Sequence, residues 1–133
     1  IVPPASAPPG PLAFSPDGKV LACQFGTSVQ LRDLAADKWV GTLALAGEGP
    51  GGRAALRFSP DGKLLACACL RRHSDERYAV VIRVWDLETG KETLSLRGHT
   101  DRVSRLTLSS DGKRLFSSSD DGTIKIWDLG AEK

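Results

Sequence analysis

The stretch Val103 to Leu129, VSRLTLSSDGKRLFSSSDDGTIKIWDL, decides the fold. It contains three short runs rich in apolar and β-branched residues, separated by Ser110-Asp111-Gly112-Lys113 and Asp120-Asp121-Gly122-Thr123. An Asp side chain bonds its own backbone and Gly accepts a positive φ, so both tetrapeptides favour tight turns. Nothing in the stretch has a helical period. It therefore predicts three short strands joined by two turns.

The turn motif of this stretch occurs twice more, earlier in the chain. Phe14-Ser15-Pro16-Asp17-Gly18-Lys19 returns as Phe58-Ser59-Pro60-Asp61-Gly62-Lys63, and more loosely as Leu108-Ser109-Ser110-Asp111-Gly112-Lys113. Three copies of such a motif are not expected by chance. The sequence is therefore predicted to be an array of repeated units.

A second motif closes each unit. Val84-Trp85-Asp86-Leu87 and Ile126-Trp127-Asp128-Leu129 match each other fully, whereas Leu31-Arg32-Asp33-Leu34 has Arg in place of Trp. Together with Gly98-His99 at the start of the third unit, the pattern resembles the WD40 repeat, one four-stranded blade of a β-propeller. The resemblance covers roughly residues 10 to 133.

The resemblance implies an all-β fold of three WD40-like, four-stranded antiparallel blades, the last lacking its outer strand. We predict a degenerate blade 1 over residues 12–46, blade 2 over 47–97 and blade 3 over 98–133. Residues 1–11 hold five of the eight prolines and are predicted to be a Pro-rich linker. It would begin with the tail of an outer strand at Ile1-Val2, by register with the third unit.

Three residues have the chemical types of a hydrolase triad: His99, Ser117 and Asp121. Their spacing from Trp127 instead matches the structural tetrad of a WD40 blade, where the four side chains satisfy one another. Such a network is favourable only when every member is paired, whereas a triad needs an exposed serine and an oxyanion hole. The resemblance therefore implies a structural role for these four residues, no catalytic residue, and a protein that is not an enzyme.

One glycine pattern could indicate a cofactor site. Gly47, Gly49 and Gly52 match G-x-G-x-x-G, the dinucleotide fingerprint. In that fingerprint a helix follows whose N-terminus holds the pyrophosphate, but here another strand is predicted over Ala54 to Phe58. We therefore interpret the glycines as a surface loop and expect no cofactor.

The three cysteines do not form a metal-binding pattern. Cys67 and Cys69 make a bare C-x-C without a second ligand pair, so no metal site is expected. Cys23 and Cys67 each lie six residues after the Asp of their turn, the position of Ser117 in the third unit. We predict buried core cysteines in a reducing compartment, and hence a cytoplasmic protein.

A charged insertion, Arg71 to Tyr78, lengthens the connection between the second and third strands of blade 2. It is either a solvated hairpin extension or a partner-binding protrusion, since Arg and Tyr are enriched at binding hot spots. It emerges at the same end of the ring as the loops of blade 3. The candidate partner-binding residues are therefore Arg71, Arg72, His73, Tyr78, Arg102 and Asp120.

Charge and composition exclude several partner classes. The 18 basic and 16 acidic residues give a net charge of +2, too balanced to indicate nucleic acid or an anionic membrane as the main partner. There is no apolar run of about 18 residues and no signal-peptide pattern. Methionine is absent, so we expect that the start was removed or that the chain is a piece of a longer one.

Three blades do not close a ring, because propellers use about four to eight. Either the chain is a segment of a longer propeller or copies assemble, for instance two chains making six blades. The resemblance implies a non-catalytic scaffold that binds a protein or peptide, or further copies of itself. The alternative is an accessory or regulatory segment of a larger enzyme, and the many Ala, Gly, Pro and Arg residues hint at a bacterial source.

Overall fold

The computed structural model describes residues 9–25, 28–44, 55–72 and 78–129. All secondary-structure elements in these ranges are β-strands. Blade 1 comprises β1 (Pro9–Phe14), β2 (Val20–Phe25), β3 (Ser28–Asp33) and β4 (Lys38–Ala44). Blade 2 comprises β5 (Ala55–Phe58), β6 (Leu64–Arg72), β7 (Tyr78–Asp86) and β8 (Lys91–Arg97). Blade 3 comprises β9 (Val103–Leu108), β10 (Arg114–Ser119) and β11 (Ile124–Asp128).

Each blade is an antiparallel sheet in which every strand pairs with the next along the chain. The orders are β1-β2-β3-β4, β5-β6-β7-β8 and, in the three-stranded sheet of blade 3, β9-β10-β11. The first strand of each blade contacts the first strand of the next, so β1, β5 and β9 lie side by side. The predicted all-β architecture of propeller blades is confirmed. Among the described residues no helix is long and apolar enough to cross a membrane.

The repeated turn motif has the same construction in all three blades. In blade 1 the Ser15 hydroxyl donates to Asp17 Oδ1 at 2.7 Å, and the backbone N–H of Lys19 donates to the same oxygen at 2.9 Å. The serine hydroxyl bond holds the pKa of Asp17 below its ordinary value. Gly18 has a φ of +73°, which a side chain would strain. The two later turns repeat these bonds at Ser59-Asp61 and Ser109-Asp111.

The core lies between the blades. Strand β6 is buried on both sides, because its alternate side chains enter different interfaces. Leu65, Cys67 and Cys69 pack in the cluster shared with blade 1. Ala66 and Ala68 pack in the cluster shared with Leu106 and Leu115 of blade 3. Face-to-face packing of blades is therefore what makes this short chain a single folded unit.

The linker predicted over residues 1–11 is wrong for residues 9–11, since β1 begins at Pro9. Proline cannot donate to a ladder, but β1 is an edge strand, where a missing N–H can face away from the sheet. The register also shifts between Pro9 and Leu12. Ile1 and Val2, the predicted tail of an outer strand, lie outside the described residues.

The closing motif of blade 1 has Arg32 where blade 2 has Trp85, but blade 1 does contain an indole, that of Trp39. Arg32 pairs with Leu21 on β2, in the register where blade 2 pairs Trp85 with Leu65. Trp39 on β4 pairs with Arg32 on β3, and the guanidinium carbon of Arg32 lies 5.1 Å from the centre of the Trp39 ring. Phe25 meets the same ring edge-on, with centroids 6.0 Å apart. Blade 1 therefore has its indole one strand further out than Trp85 of blade 2, and Arg32 stacks on it.

Candidate functional site

The structure brings His99, Ser117, Asp121 and Trp127 together in one hydrogen-bonded row. His99 Nδ1 lies 2.9 Å from Asp121 Oδ2, and His99 Nε2 lies 2.6 Å from the Ser117 hydroxyl. The Trp127 indole N–H donates to the same hydroxyl at 2.9 Å. The row runs from the third strand of blade 3 through its second strand to the loop before its first. It therefore joins these three parts of the blade through side chains.

One protonation pattern satisfies every member of this row. The indole N–H can only donate, and an ionised carboxylate can only accept. Ser117 therefore accepts from Trp127 and donates its own proton to His99 Nε2. His99 is then neutral, and its Nδ1–H donates to Asp121. No donor in the row is left without an acceptor, which is the condition for a buried polar network to stabilise a fold.

This arrangement is unsuited to nucleophilic catalysis at Ser117. The serine is only 1% exposed, so a substrate carbonyl has no approach to its oxygen. A lone pair of that oxygen is already engaged by the Trp127 N–H. A nucleophile needs both access and a free lone pair directed at the reacting carbon. The geometry therefore supports a structural role for the four residues.

The network also fixes the loop that leads into β9. The backbone N–H of Thr100 donates to Asp121 Oδ2 at 3.1 Å. The backbone N–H of Asp120 donates to the Arg102 carbonyl at 2.9 Å. At Gly98, φ is +156° and an added Cβ would lie 3.3 Å from the Trp127 ring. Glycine is therefore favoured before the histidine, because a side chain there would adopt a strained φ and the Trp127 ring would have to shift slightly.

The carboxylate of Asp121 is the most strongly perturbed acid of the site. The Thr123 hydroxyl holds its pKa well below the ordinary value of 3.8, against a smaller upward effect of desolvation. His99 and the backbone N–H groups of Thr100 and Thr123 lower it further. Sequence reasoning missed the part played by Thr123. The signal was present, because a hydroxyl residue two positions after a turn Asp can bond its carboxylate.

We expect this carboxylate to make the fold sensitive to acid. A folded-state pKa below the unfolded value contributes stability that is present above about pH 4 and is lost as the pH falls through the folded value. An Asp121→Asn variant should have a lower Tm than the wild type at pH 7, and the two Tm curves should converge as the pH falls from about 5 to 2. Differential scanning fluorimetry at constant ionic strength measures both curves. Parallel curves would contradict the assignment.

Two of the predicted partner-binding residues form an exposed ion pair beside this network. An Arg102 guanidinium nitrogen lies 2.9 Å from Asp120 Oδ2, with the two side chains 35% and 44% exposed. The Ser119 hydroxyl bonds the Asp101 carbonyl at 3.0 Å and ties the same two segments together. The charges therefore lie on backbone that the buried row holds in place.

The other candidate residues lie on the β6–β7 hairpin of blade 2. Its strands are nine residues long and pair as far as Arg72 with Tyr78, whereas β10 has six residues and β11 five. Arg71, Arg72 and Tyr78 thus belong to the extended strands, while His73 lies outside the described residues. Because β6–β7 and β10–β11 are equivalent connections, the hairpin points to the same end of the blades as Asp120.

An ion pair within the sheet of blade 2 was not foreseen from the sequence. Arg83 on β7 is 8% exposed, and one of its guanidinium nitrogens contacts both carboxylate oxygens of Glu92 at 2.6 and 2.7 Å. The two residues are nine apart, so only the strand register reveals their proximity. The two charges neutralise each other across neighbouring strands, which is a structural role. Among the described residues no cluster of three metal-ligating side chains occurs.

Comparison with known proteins identifies the repeat and the fold. The family described as "WD domain, G-beta repeat" matches residues 90–128. Coronin-7 of Rattus norvegicus is 43% identical over 51 residues, which are 38% of this chain and 6% of coronin-7. The target of rapamycin complex subunit wat1 of Schizosaccharomyces pombe is 38% identical over 52 residues, 38% of this chain and 17% of that protein.

Among solved structures, that of U3-55K superimposes with a TM-score of 0.78 at 21% identity. The match covers 98% of this chain and 39% of U3-55K, so almost the whole chain has this fold. The chain thus spans less than two-fifths of that protein and a smaller share of the curated relatives.

Proposed function

Because this chain is a WD40-repeat protein, we propose that it is a non-catalytic scaffold that binds a protein or peptide partner. The partner surface is the end of the blades that carries Arg102, Asp120 and the paired ends of β6 and β7 at Arg72 and Tyr78; we call it the loop end. The observation that supports this most directly is the exposed Arg102–Asp120 pair on backbone fixed by the buried row. A preorganised surface binds with less loss of conformational entropy than a mobile one.

Further copies of the chain are a second class of partner. Large apolar side chains on the two outermost blades are exposed, among them Phe14 at 65% and Ile124 at 74%. Each lies beside a second exposed apolar side chain, Leu12 or Ile126, and exposed apolar side chains grouped in this way are typical of interaction surfaces. The alternative function, an accessory or regulatory segment of a larger enzyme, would use the loop end in the same way.

We also propose that the protein is cytoplasmic, because of the state of its cysteines. Cys23, Cys67 and Cys69 are buried and form no disulfide. Cys67 Sγ and Cys69 Sγ lie 3.5 Å apart in the same core cluster, within hydrogen-bond distance and not joined by a disulfide. A reducing compartment keeps such thiols in this state.

Reversing charges at the loop end should weaken partner binding. We expect Arg102→Glu to reduce affinity about tenfold, since an Arg at the centre of an interface is commonly a hot spot. The double variant Arg102→Glu/Asp120→Arg keeps an ion pair with reversed polarity and should be equally weak. Quantitative affinity capture from source-cell lysate, followed by titration of each captured protein, measures the effect.

A matched control lies at the opposite end of the blades. Lys91 is exposed at the β7–β8 turn, and Lys91→Glu changes the net charge as much as Arg102→Glu does. This variant should capture the same proteins as the wild type. If the loop-end variants have an unchanged Tm and also bind every partner as tightly as the wild type, the proposed surface is wrong.

A further inference from the structure

Every Asp-Gly dipeptide of the chain lies in a tight turn of the form Ser-x-Asp-Gly, closed by a bond from the Gly N–H to the Ser carbonyl. The four dipeptides are Asp17-Gly18, Asp61-Gly62, Asp111-Gly112 and Asp121-Gly122. Asp-Gly is the dipeptide most prone to form isoaspartate, because glycine has no side chain to hinder attack by its backbone nitrogen. The chain has no Asn, so Asp is its only source of this modification.

Isoaspartate formation needs no reagent but water, and it places two demands on the turn. The glycine nitrogen attacks the Asp side-chain carbon Cγ, the N–H proton is lost, and a carboxyl oxygen leaves as water, which closes a five-membered succinimide. Water then opens the ring, and opening at the former backbone carbonyl leaves the chain linked through Cγ, as isoaspartate. The Asp side chain must therefore swing toward the glycine nitrogen, and its carboxyl group must be protonated, because a carboxylate resists nucleophilic attack.

Hydrogen bonds in the repeated turn oppose both demands. In blade 2 the Ser59 hydroxyl donates to Asp61 Oδ1 at 2.6 Å, and the backbone N–H of Lys63 donates to the same oxygen at 2.9 Å. The Gly62 N–H is engaged by the Ser59 carbonyl at 2.9 Å. The first and third turns repeat these three bonds. In all three, the serine hydroxyl lowers the pKa of the Asp carboxyl, which favours the unreactive carboxylate.

The turn that contains Asp121 is held by other donors. The Thr123 hydroxyl and the Thr123 N–H both donate to Asp121 Oδ1, at 2.5 and 2.8 Å. Asp121 Oδ2 accepts the Thr100 N–H at 3.1 Å and lies 2.9 Å from His99 Nδ1. More donors must therefore be released before this carboxyl group can turn toward the glycine nitrogen.

The three repeated turns differ at the residue between Ser and Asp. Pro16 and Pro60 hold this position in blades 1 and 2, whereas blade 3 has Ser110. It is the second of the four turn residues, where proline fixes the φ angle that the turn requires. Proline also reduces the conformations available to an opened turn, so the turn of blade 3 should open more often than the other two.

We propose that Asp111 is the main site of isoaspartate formation in this chain, because its turn has the serine bond but not the proline. Asp17 and Asp61 are protected by both, and Asp121 is protected by its larger set of donors. The serine hydroxyl acts by holding the carboxylate away from the glycine nitrogen, and the proline acts by keeping the turn closed.

Peptide mapping of the whole chain after long incubation at about 37 °C and neutral pH tests this. Isoaspartate has the mass of aspartate but a different retention time, and protein isoaspartyl methyltransferase labels it selectively. Trypsin places each Asp-Gly in its own peptide: residues 1–19, 58–63, 106–113 and 115–125. We expect Asp111 to isomerise about two- to fivefold faster than Asp17 and Asp61, and Asp121 to be the slowest. In concentrated guanidinium chloride all four rates should rise and become similar.

Two exposed positions permit a matched exchange between blades. Ser110→Pro should lower the rate at Asp111 to that at Asp61, and Pro60→Ser should raise the rate at Asp61 to that at Asp111 in the wild type. If Asp111 stays the fastest site in Ser110→Pro, residue 110 does not set its rate and the inference is overturned. Equal rates at all four sites in the folded wild type would overturn it as well.

A third variant tests the serine hydroxyl. Ser15→Ala should raise the rate at Asp17 about fivefold and leave that at Asp61 unchanged, because each turn holds its own carboxylate. No change at Asp17 would show that the serine bond gives no protection. If all four rates rise together, the substitution has loosened the whole fold. Ser109→Ala, at a less buried serine, then decides the role of the hydroxyl from the rate at Asp111 relative to Asp61.

Discussion

Replacing Ser117 by Ala should lower the free energy of unfolding by about 2–4 kcal/mol. The hydroxyl accepts the Trp127 indole N–H at 2.9 Å and lies 2.6 Å from His99 Nε2. Alanine offers neither bond, and Ser117 is too deeply buried for water to replace it. Each buried polar group left unpaired costs about 1–3 kcal/mol. Urea denaturation followed by Trp fluorescence measures the loss.

A second serine on the same blade provides the control. Ser104 on β9 is exposed, and its hydroxyl lies 3.3 Å from both the carbonyl and the hydroxyl of Ser118. Ser104→Ala should change the free energy of unfolding by less than about 0.5 kcal/mol. Equal losses in the two variants would mean that the buried row contributes nothing beyond ordinary serine bonds. Ser117→Cys should fall between them, because a thiol is a weaker donor and acceptor than a hydroxyl.

The three blades differ at the position of Ser117, and this difference explains why the hydrogen-bonded row forms in blade 3. Cys23 and Cys67 lie in blades 1 and 2 where Ser117 lies in blade 3, opposite Leu12 and Leu56 as Ser117 is opposite Leu106. A thiol packs well in an apolar core but cannot anchor a row of hydrogen bonds. Among the described blades, the complete row is therefore confined to blade 3. The loop from Gly98 to Arg102, which this row holds through His99 and Thr100, carries the Arg102 side chain of the exposed ion pair.

The sequence predicted the fold well because its signals are local. Asp-Gly turns and alternating strands specify hairpins within about 25 residues, and the repeat then implies that the hairpins stack. The spacing of His99, Ser117, Asp121 and Trp127 was also readable, since the four positions belong to one blade. The stacking of Arg32 on Trp39 could not be predicted, because no sequence motif relates the Arg of the closing motif to a Trp on the next strand.

Contacts that depend on strand register were harder to foresee. The proximity of Arg83 and Glu92 follows from a bulge between Val84 and Trp85, which shifts the pairing of β7 with β8. The start of β1 at Pro9 depends on that strand lying at a sheet edge. The difference in burial between Phe14 and its blade 2 equivalent Phe58 is seen only when the strand pairings of the two blades are compared. Each of these is a property of neighbouring strands and not of a sequence window.

Replacing Leu65 by Ala should have the largest effect of any single change considered, about 2–5 kcal/mol of unfolding free energy. Leu65 is fully buried at the centre of the cluster that joins blades 1 and 2, where Phe58 is its direct partner on β5. Strands on both sides of Leu65 are held by their own ladders, so they cannot collapse into the space that the lost side chain leaves. The cost should therefore lie in the upper half of that range.

The Leu65 experiment needs controls that separate two costs in unfolding free energy: the cavity left in the core and the loss of apolar side-chain surface. Val40→Ala removes a side chain that is 51% exposed on β4 and should cost less than about 0.5 kcal/mol. Leu65→Met, which nearly conserves volume, should cost less than about 1.5 kcal/mol. If Leu65→Ala cost no more than Leu65→Met, blades 1 and 2 would not be packed as closely as the structure has them.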